Sequence, residues 1–291
     1  MISTPGVYDI SEAEYHADPC PEPSLSASIL KVLVSKTPMH AAAKHPRLTL
    51  DREADDRERF DIGKAAHSLM LGDPKDFVIV DADDWRTKDA KAERDEAYAE
   101  GKIPLLAKHW ERLDQMHDAG MVQLQNHEEA SDAFAGGLPE RTLIWQEGPV
   151  WCRARLDWLP DAGVFYDDYK STEDASPQAF GRVMDSLEYG IQAVFYARGI
   201  RALGLCDKPI FRFIAQEIAP PFALSVHQLM PEALEIAEQK VAFGIKLWGE
   251  CLAAGVWPGY SRQTYHQSPS AWKVNQWLER QAAAEYAQEQ K

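Results

Sequence analysis

The sequence predicts a single α/β domain spanning residues 1–291, and three observations predict it. Short β-rich runs, "RTLIWQE", "VWCRARLDWLP" and "GVFYDDYKS", follow one another with turn residues between them ("EGP" and "PDAG"), which suggests an antiparallel meander. Stretches with helical spacing of apolar residues lie before and after this cluster. No internal repeat and no Gly- or Ser-rich linker divides the chain. With 291 residues, 45% of them hydrophobic, there is enough apolar material for a sizeable core.

Residues 1–24 read as irregular, with prolines at Pro5, Pro19, Pro21 and Pro23. In "SLSASILKVLVSK", Ser24 or Ser26 is the expected N-cap of a helix, and Pro38 the start of the next short segment. The charged stretch "DREADDRERF" leads into "DIGKAAHSLMLGDP", where Ile62, Ala65, Ala66, Leu69 and Met70 keep helical spacing until Gly72 and Pro74 stop it. "FVIVD" is a short strand. From Trp85 to about Leu124 the chain is polar, mixed in charge and expected to be exposed helix. After the three β-rich runs, "SPQAFGRVMDSLEYGIQAVFYARGIRAL" reads as helix, with Ser176 as N-cap and Pro177 at its first position. "KPIFRFIAQEI" and "FALSVHQL" are two further strands. "MPEALEIAEQKVAFGIKLWGECLAAG" is a long amphipathic helix ended by "VWPGY", and "SAWKVNQWLERQAAAEYAQEQK" is a last, fraying helix.

Several classes are disfavoured by composition. No run approaches the roughly 20 apolar residues of a membrane helix. The N-terminus lacks a basic segment followed by an apolar one, so a cytoplasmic protein is expected. The four cysteines, Cys20, Cys152, Cys206 and Cys251, are far apart in the chain and read as reduced thiols, with no iron–sulfur cluster expected. A net charge of −15 argues against electrostatic coating of nucleic acid, but leaves room for an enzyme with a local basic groove.

The chemistry concentrates in "RARLDW" and "YDDYKS". Alternate residues of a strand share a face, so Asp168 and Lys170 point one way while Asp167 and Tyr169 point the other. If the two runs form a hairpin, Asp157 and Asp168 converge at one end of it. Two carboxylates beside a lysine call for a cation between them, and oxygen ligands suit Mg²⁺ or Mn²⁺. The lysine could orient a water or stabilise charge on a phosphate. The alternation also predicts unequal aspartates: Asp167→Asn mild, Asp168→Asn abolishing the chemistry of the site. Gln192 and Tyr196 lie four apart on one helix face. His67 sits among Ala65, Ala66, Leu69 and Met70, where a core histidine is the rival expectation. Glu140 heads the strand before the hairpin. Arg153 and Arg155 share a face with Asp157 and either contact a phosphate or pair with acids. Ser26 and Ser28, at a helix N-terminus, either cap it or hold a terminal phosphate.

Taken in order, "GVYDISEAEYHAD" with "LSASILKVLVSKTPMHA", "IGKAAHSLML", "WCRARLDWLP…FYDDYKST", "YGIQAVFYARG" and "GVWPGY" resemble the PD-(D/E)XK nucleases of the exonuclease VIII (RecE-like) type found in phages and prophages. RecB nuclease domains and lambda exonuclease are more distant relatives of that type. The resemblance implies a restriction-endonuclease-like core over roughly 60–255, a central mixed sheet flanked by helices, an N-terminal helical extension at 1–59 and a C-terminal tail helix at 256–291. It implies Asp157 and Asp168 as metal-binding acids, Lys170 as catalytic lysine, and Glu140 and His67 beside the metals. Gln192 and Tyr196 would orient catalytic groups or DNA. The activity implied is Mg²⁺-dependent exonucleolytic digestion of linear double-stranded DNA, 5′ to 3′, leaving 3′ tails for recombination. A ring-shaped homo-oligomer, trimer or tetramer, and a single-strand annealing (RecT-like) partner are also implied. Any DNA contact needs a local channel, for which Lys31, Lys36, Arg153, Arg155 and Arg182 are candidates. The alternatives are a RecB-like nuclease of other specificity, an inactive DNA-end-binding or assembly protein on the same fold, and a phage protein whose acidity serves protein partners.

Overall fold

The computed structural model describes residues 1–49, 57–72 and 77–289, so the expected stop at Pro74 lies outside the described residues. The chain divides into two units, Met1–Pro258 and Gly259–Lys291.

The N-terminal segment is more ordered than its prolines suggest. It holds β1 (Gly6–Tyr8) and α1 (Glu12–Ala17). A capping box starts α1: the Ser11 hydroxyl accepts from the Glu14 N–H, and the Glu14 carboxylate accepts from the Ser11 N–H at 3.0 Å. Then come β2 (Leu25–Ser26), α2 (Ala27–Ser35) with Ser26 as its N-cap, and α3 (Pro38–Lys44) beginning at Pro38 as expected. α4 (Arg57–Leu71) gives way to Gly72 in the left-handed region, φ 62°.

β3 (Phe77–Val80) is the expected short strand. The polar stretch after it is not all helix. Between α5 (Lys88–Ala99) and α6 (Ala107–Gln125) lies β4 (Ile103–Leu106), which pairs in parallel with β3. Its Pro104 is tolerated because a two-stranded sheet consists only of edge strands.

β5 (Gly137–Glu147) and β6 (Val150–Pro160) form the expected antiparallel hairpin, with fully buried Leu143 opposite Ala154 and Trp145 opposite Cys152. The meander stops there. β7 (Phe165–Thr172) pairs instead in parallel with β8 (Ile210–Glu217), and β8 pairs antiparallel with β9 (Leu224–His227). Two helices, α7 (Pro177–Ser186) and α8 (Tyr189–Ala202), provide the long crossover that parallel pairing needs. These two were expected as one helix. The break falls at Glu188, φ 53°, whose carboxylate accepts from the Lys240 ammonium at 2.7 and 2.8 Å. Lys240 lies on α9 (Pro231–Ala254), which ends at Gly255 with φ 63°.

The strands thus form the sheets β1-β5-β6-β2 and β7-β8-β9, besides the β3-β4 pair. α8 is buried on nearly every face. Its Phe195 ring lies 4.8 Å from Trp145. Its Gly199 admits that indole: a Cβ there would fall 2.8 Å from the ring. On the other face of β7 and β8, α4 and α6 contribute Ala65 and Leu113 to a core shared with Tyr169 and Ile214. β7 is therefore covered on both sides, and Tyr166–Tyr169 are buried although two of them are aspartates. In the second unit, α10 (Ala271–Glu289) is a helix whose described side chains are exposed.

A buried polar knot ties the N-terminal segment to β6. The fully buried Asp18 carboxylate accepts from Ser24 N (2.9 Å) and Ser24 Oγ (2.6 Å), and lies 3.3 Å from His45 Nε2 and 3.2 Å from Arg153 Nη1. Burial alone would raise the Asp18 pKa; the His45 hydrogen bond, the Arg153 charge and Ser24 outweigh it and hold the group at about 2. A depressed folded pKa means stability that is present above the unfolded value near 3.8 and lost as pH falls towards 2. Asp18→Asn should therefore lose about 2 kcal/mol in urea titrations at pH 7, and a smaller difference at pH 3. Equal losses at both pH values would exclude the charge as the cause.

Candidate active site

β6 and β7 run past each other in different sheets, and the side chains of greatest interest gather where they meet. Glu140 and Asp157 stand at opposing positions of the β5–β6 hairpin: Pro139 pairs with Trp158 and Arg141 with Leu156 on either side of them. Glu140 itself has φ 57°. Such backbone is costly for a residue with a Cβ and is held by its surroundings, a feature common at functional sites.

His67 reaches from α4 between these two carboxylates. Its Nδ1 lies 3.0 Å from Glu140 Oε1 and its Nε2 2.9 Å from Asp157 Oδ2. Asp157 Oδ2 also accepts the Tyr169 N–H at 2.8 Å, a bond that joins the two sheets. Across the site, Asp168 Oδ1 accepts from Gln192 Nε2 at 2.6 Å, and Asp168 Oδ2 makes an ion pair with Lys170. The Lys170 ammonium lies 5.6 Å from the centre of the Tyr189 ring, and Lys31 lies 5.0 Å from the same ring.

The charges are strongly coupled. Burial opposes charge on His67, but Asp157 and Glu140 outweigh it and push its pKa up to about 10. Asp157, despite burial, is held at about 2 by His67 and Lys170. Asp168 is pushed up to about 6, by burial first and then by Asp157, against the pull of Lys170. Lys170 is held above its ordinary value, because Asp168 and Asp157 overcome its burial. Lys31 is lowered to about 8 by burial and by Lys170.

These residues suit a hard divalent cation. Among the described residues no three His, Cys, Asp or Glu side chains form a ready-made cage. The carboxylates are held instead by two cations of the chain itself, His67 and Lys170. Asp168 Oδ2 is buried and meets the Lys170 ammonium as an ion pair, which leaves its other lone pair for a ligand. Asp157, Asp168 and Glu140 are an oxygen donor set that fits Mg²⁺ or Mn²⁺, and the His67 imidazole could join them only after giving up a proton. The site opens into a cavity of about 550 Å³ bordered by His67, Glu140, Arg155, Asp157, Lys170 and Tyr196.

The structure thus brings together His67, Glu140, Asp157, Asp168, Lys170, Gln192 and Tyr196. Tyr196 is buried and borders the cavity from α8. Arg155 borders it as well, paired with Glu140 and donating to the Ile10 carbonyl at 2.8 Å. Three candidate phosphate contacts are displaced. Arg153 is 3% exposed and tied to Asp18 and Ser24, so burial removes it from any phosphate. Ser26 is buried and caps α2 through the Ile29 N–H, and the exposed Ser28 shares a 3.0 Å hydroxyl contact with it; neither borders the cavity. Lys36 and Arg182 are exposed and do not border it either. Asp167 faces away from the site as expected, into a buried ion pair with Arg212.

Sequence reasoning passed over Glu12, Tyr15 and His16, which border the cavity from α1, and Lys64, whose ammonium lies 3.1 Å from Glu12. "SEAE" carried the capping-box signal that would have placed α1. Tyr189 was also missed. It lies three residues before Gln192, hence on the same helix face.

Comparison with known proteins follows the same lines. The family model described as "PDDEXK-like domain of unknown function (DUF3799)" matches residues 26–266. No curated protein sequence matches the chain. Among solved structures, the crystal structure of a "putative exonuclease" from Eubacterium rectale is similar with a TM-score of 0.60 at 12% identity, covering 92% of this chain and 98% of that one. At that identity the likeness speaks for the fold alone, a mixed α/β architecture. The match over 26–266 takes in every residue gathered at the β6–β7 junction, and the chain belongs to the PDDEXK-like family.

Proposed function

We propose that the protein is a metal-dependent exodeoxyribonuclease that hydrolyses phosphodiester bonds from the ends of linear double-stranded DNA. The observation that carries this is the convergence of Asp157, Lys170, Glu140 and His67 on one open cavity of a PDDEXK-like fold, with the buried Asp168 paired to Lys170. Mg²⁺, with Mn²⁺ as a substitute, would be held by Asp157 and Asp168 with Glu140 or His67, and would supply Lewis-acid polarisation and a more acidic water.

The chain's own groups do the positioning. Gln192 fixes the rotamer of Asp168, and the Tyr169 N–H fixes Asp157. Lys170 carries a protonated amine at the point where a phosphate under attack gathers negative charge, and it can donate to the attacking water. Lys64 and Arg155 add positive charge around the same opening, and Lys31 stands over the Tyr189 ring that Lys170 also approaches, a local attraction for DNA on a chain of net charge −15. The exonuclease specificity draws support from the Eubacterium rectale neighbour. The 5′ to 3′ direction, 3′ tails, recombination through a single-strand annealing partner and a ring-shaped homo-oligomer draw on the sequence resemblance to RecE-like enzymes.

The test is end-labelled linear duplex with Mg²⁺. Wild-type protein should release labelled mononucleotides or short products, and Lys170→Ala should be slower by about a thousandfold. A duplex left intact by the wild type, or digested equally by the variant, would sink the proposal.

A further inference from the structure

Beside the active cavity lies a second one of about 340 Å³, between α4, α6 and the ends of β7 and β8. The two share Gly63 and Ser171 in their linings, so they adjoin there. We propose that this second cavity is a nucleotide subsite, taking the base and sugar next to the scissile phosphate of the strand being cut, with Gly63 keeping the passage open and Arg112 holding the flanking phosphate. It deepens the nuclease function proposed above and rests on it.

The cavity's walls suit that occupant. Ile62, Leu113 and Met116 offer apolar surface, on which an unstacked base can lie because every base has a flat π-face. Arg112 supplies the charge. Its Nε donates to the Ile218 carbonyl at 2.8 Å, which fixes the guanidinium plane. Among the described residues its two terminal nitrogens have no carboxylate partner, so they remain as paired donors for a phosphate oxygen. Exposed Glu173 borders the same cavity and disfavours a second phosphate there.

Gly63 gives the independent observation. It sits inside α4, where glycine destabilises a helix relative to alanine. Packing does not require it, because a Cβ at that position would meet nothing within 4 Å. The open space it faces is the junction of the two cavities. Its lack of a side chain is therefore explained by something that passes there.

The experiment uses the full chain in two formats. Binding of a fluorescein-labelled single-stranded oligonucleotide is followed by anisotropy in a Lys170→Ala background, and steady-state digestion of duplex is followed in the otherwise wild-type chain. Gly63→Leu should weaken oligonucleotide binding at least tenfold and raise KM for duplex more than it lowers kcat, with Tm unchanged or higher. Arg112→Ala, an exposed position that cannot disturb the core, should weaken binding about fivefold and flatten its salt dependence. Wild-type affinity in both variants overturns the subsite. So does a loss confined to kcat, which would place Gly63 in the catalytic cavity alone. A wild type that binds the oligonucleotide through Gly63 and Arg112 but cuts no duplex would remove the nuclease function and leave the subsite standing as a binding site.

Discussion

Asp168→Asn is expected to bring duplex cleavage to background, a loss of at least about a thousandfold, while leaving the protein as stable as the wild type or more so. Asp168 is 1% exposed, and it lies close enough to Asp157 for the two charges to oppose one another. Burial and that repulsion are what push its pKa up to about 6 although Lys170 is paired with it. Asparagine keeps the acceptor for Gln192 Nε2 and removes the charge that the fold pays to bury. Lys170 retains Asp157 as a charge partner. The strain belongs to the site's chemistry, so its relief costs activity and not stability. Metal supplies the second readout. At a hundredfold excess over Kd, Mg²⁺ or Mn²⁺ should stabilise the wild type by about 2.7 kcal/mol, seen as a rise in Tm, and the Asn variant far less. An Asn variant that still digests duplex, or that gains as much from the metal, would remove Asp168 from the reaction.

The alternation that separates Asp168 from Asp167 was legible because a strand repeats every two residues wherever it sits. What each side chain meets was not, since its partners lie elsewhere in the chain. Asp167 finds Arg212, its direct neighbour across the parallel β7–β8 pair. The run "FRFIAQ" held a usable signal, because a lone arginine in an otherwise apolar strand must be paired if it is buried. The parallel pairing itself is invisible to local pattern. "VWCRARLDWLP" and "GVFYDDYKS" look like consecutive strands of a meander, and only the occupation of β6 by β5 and β2, with β8 beside β7, decides otherwise. Glu140 was identified at the head of its strand, yet nothing in "PERTL" announces its left-handed backbone. Arg153 and Arg155 show the same limit. Both share a face by alternation, but α1 and the Asp18 knot cover one and leave the other at the cavity.

Asp167→Ala should do the reverse of Asp168→Asn: a large loss of stability with chemistry nearly intact. Arg212 is 2% exposed and donates to Asp167 through Nε at 2.6 Å and Nη2 at 3.0 Å. Its Nη1 reaches the Glu129 carbonyl at 2.9 Å and Asp132 at 2.8 Å, and Asp167 also accepts the Phe134 N–H at 3.2 Å. The pair therefore pins the loop that leads into β5. Removing one partner leaves a buried guanidinium with only the exposed Asp132 as counter-charge, which costs about 3–5 kcal/mol. For a domain of this size that lowers Tm by about 10 °C, measurable by calorimetry or circular dichroism. Asp167→Asn should fall between, since it keeps an acceptor for the Phe134 N–H but not the charge. Well below the midpoint, kcat of the Ala variant should stay within a few-fold of wild type, because Asp167 touches none of the groups around Asp157 and Lys170. The double substitution Asp167→Leu with Arg212→Met removes both buried charges and should recover much of the lost stability. If Asp167→Ala melts with the wild type, Arg212 is neutralised by Asp132 alone; if it folds well and fails to cut, the loop before β5 governs the placement of Glu140.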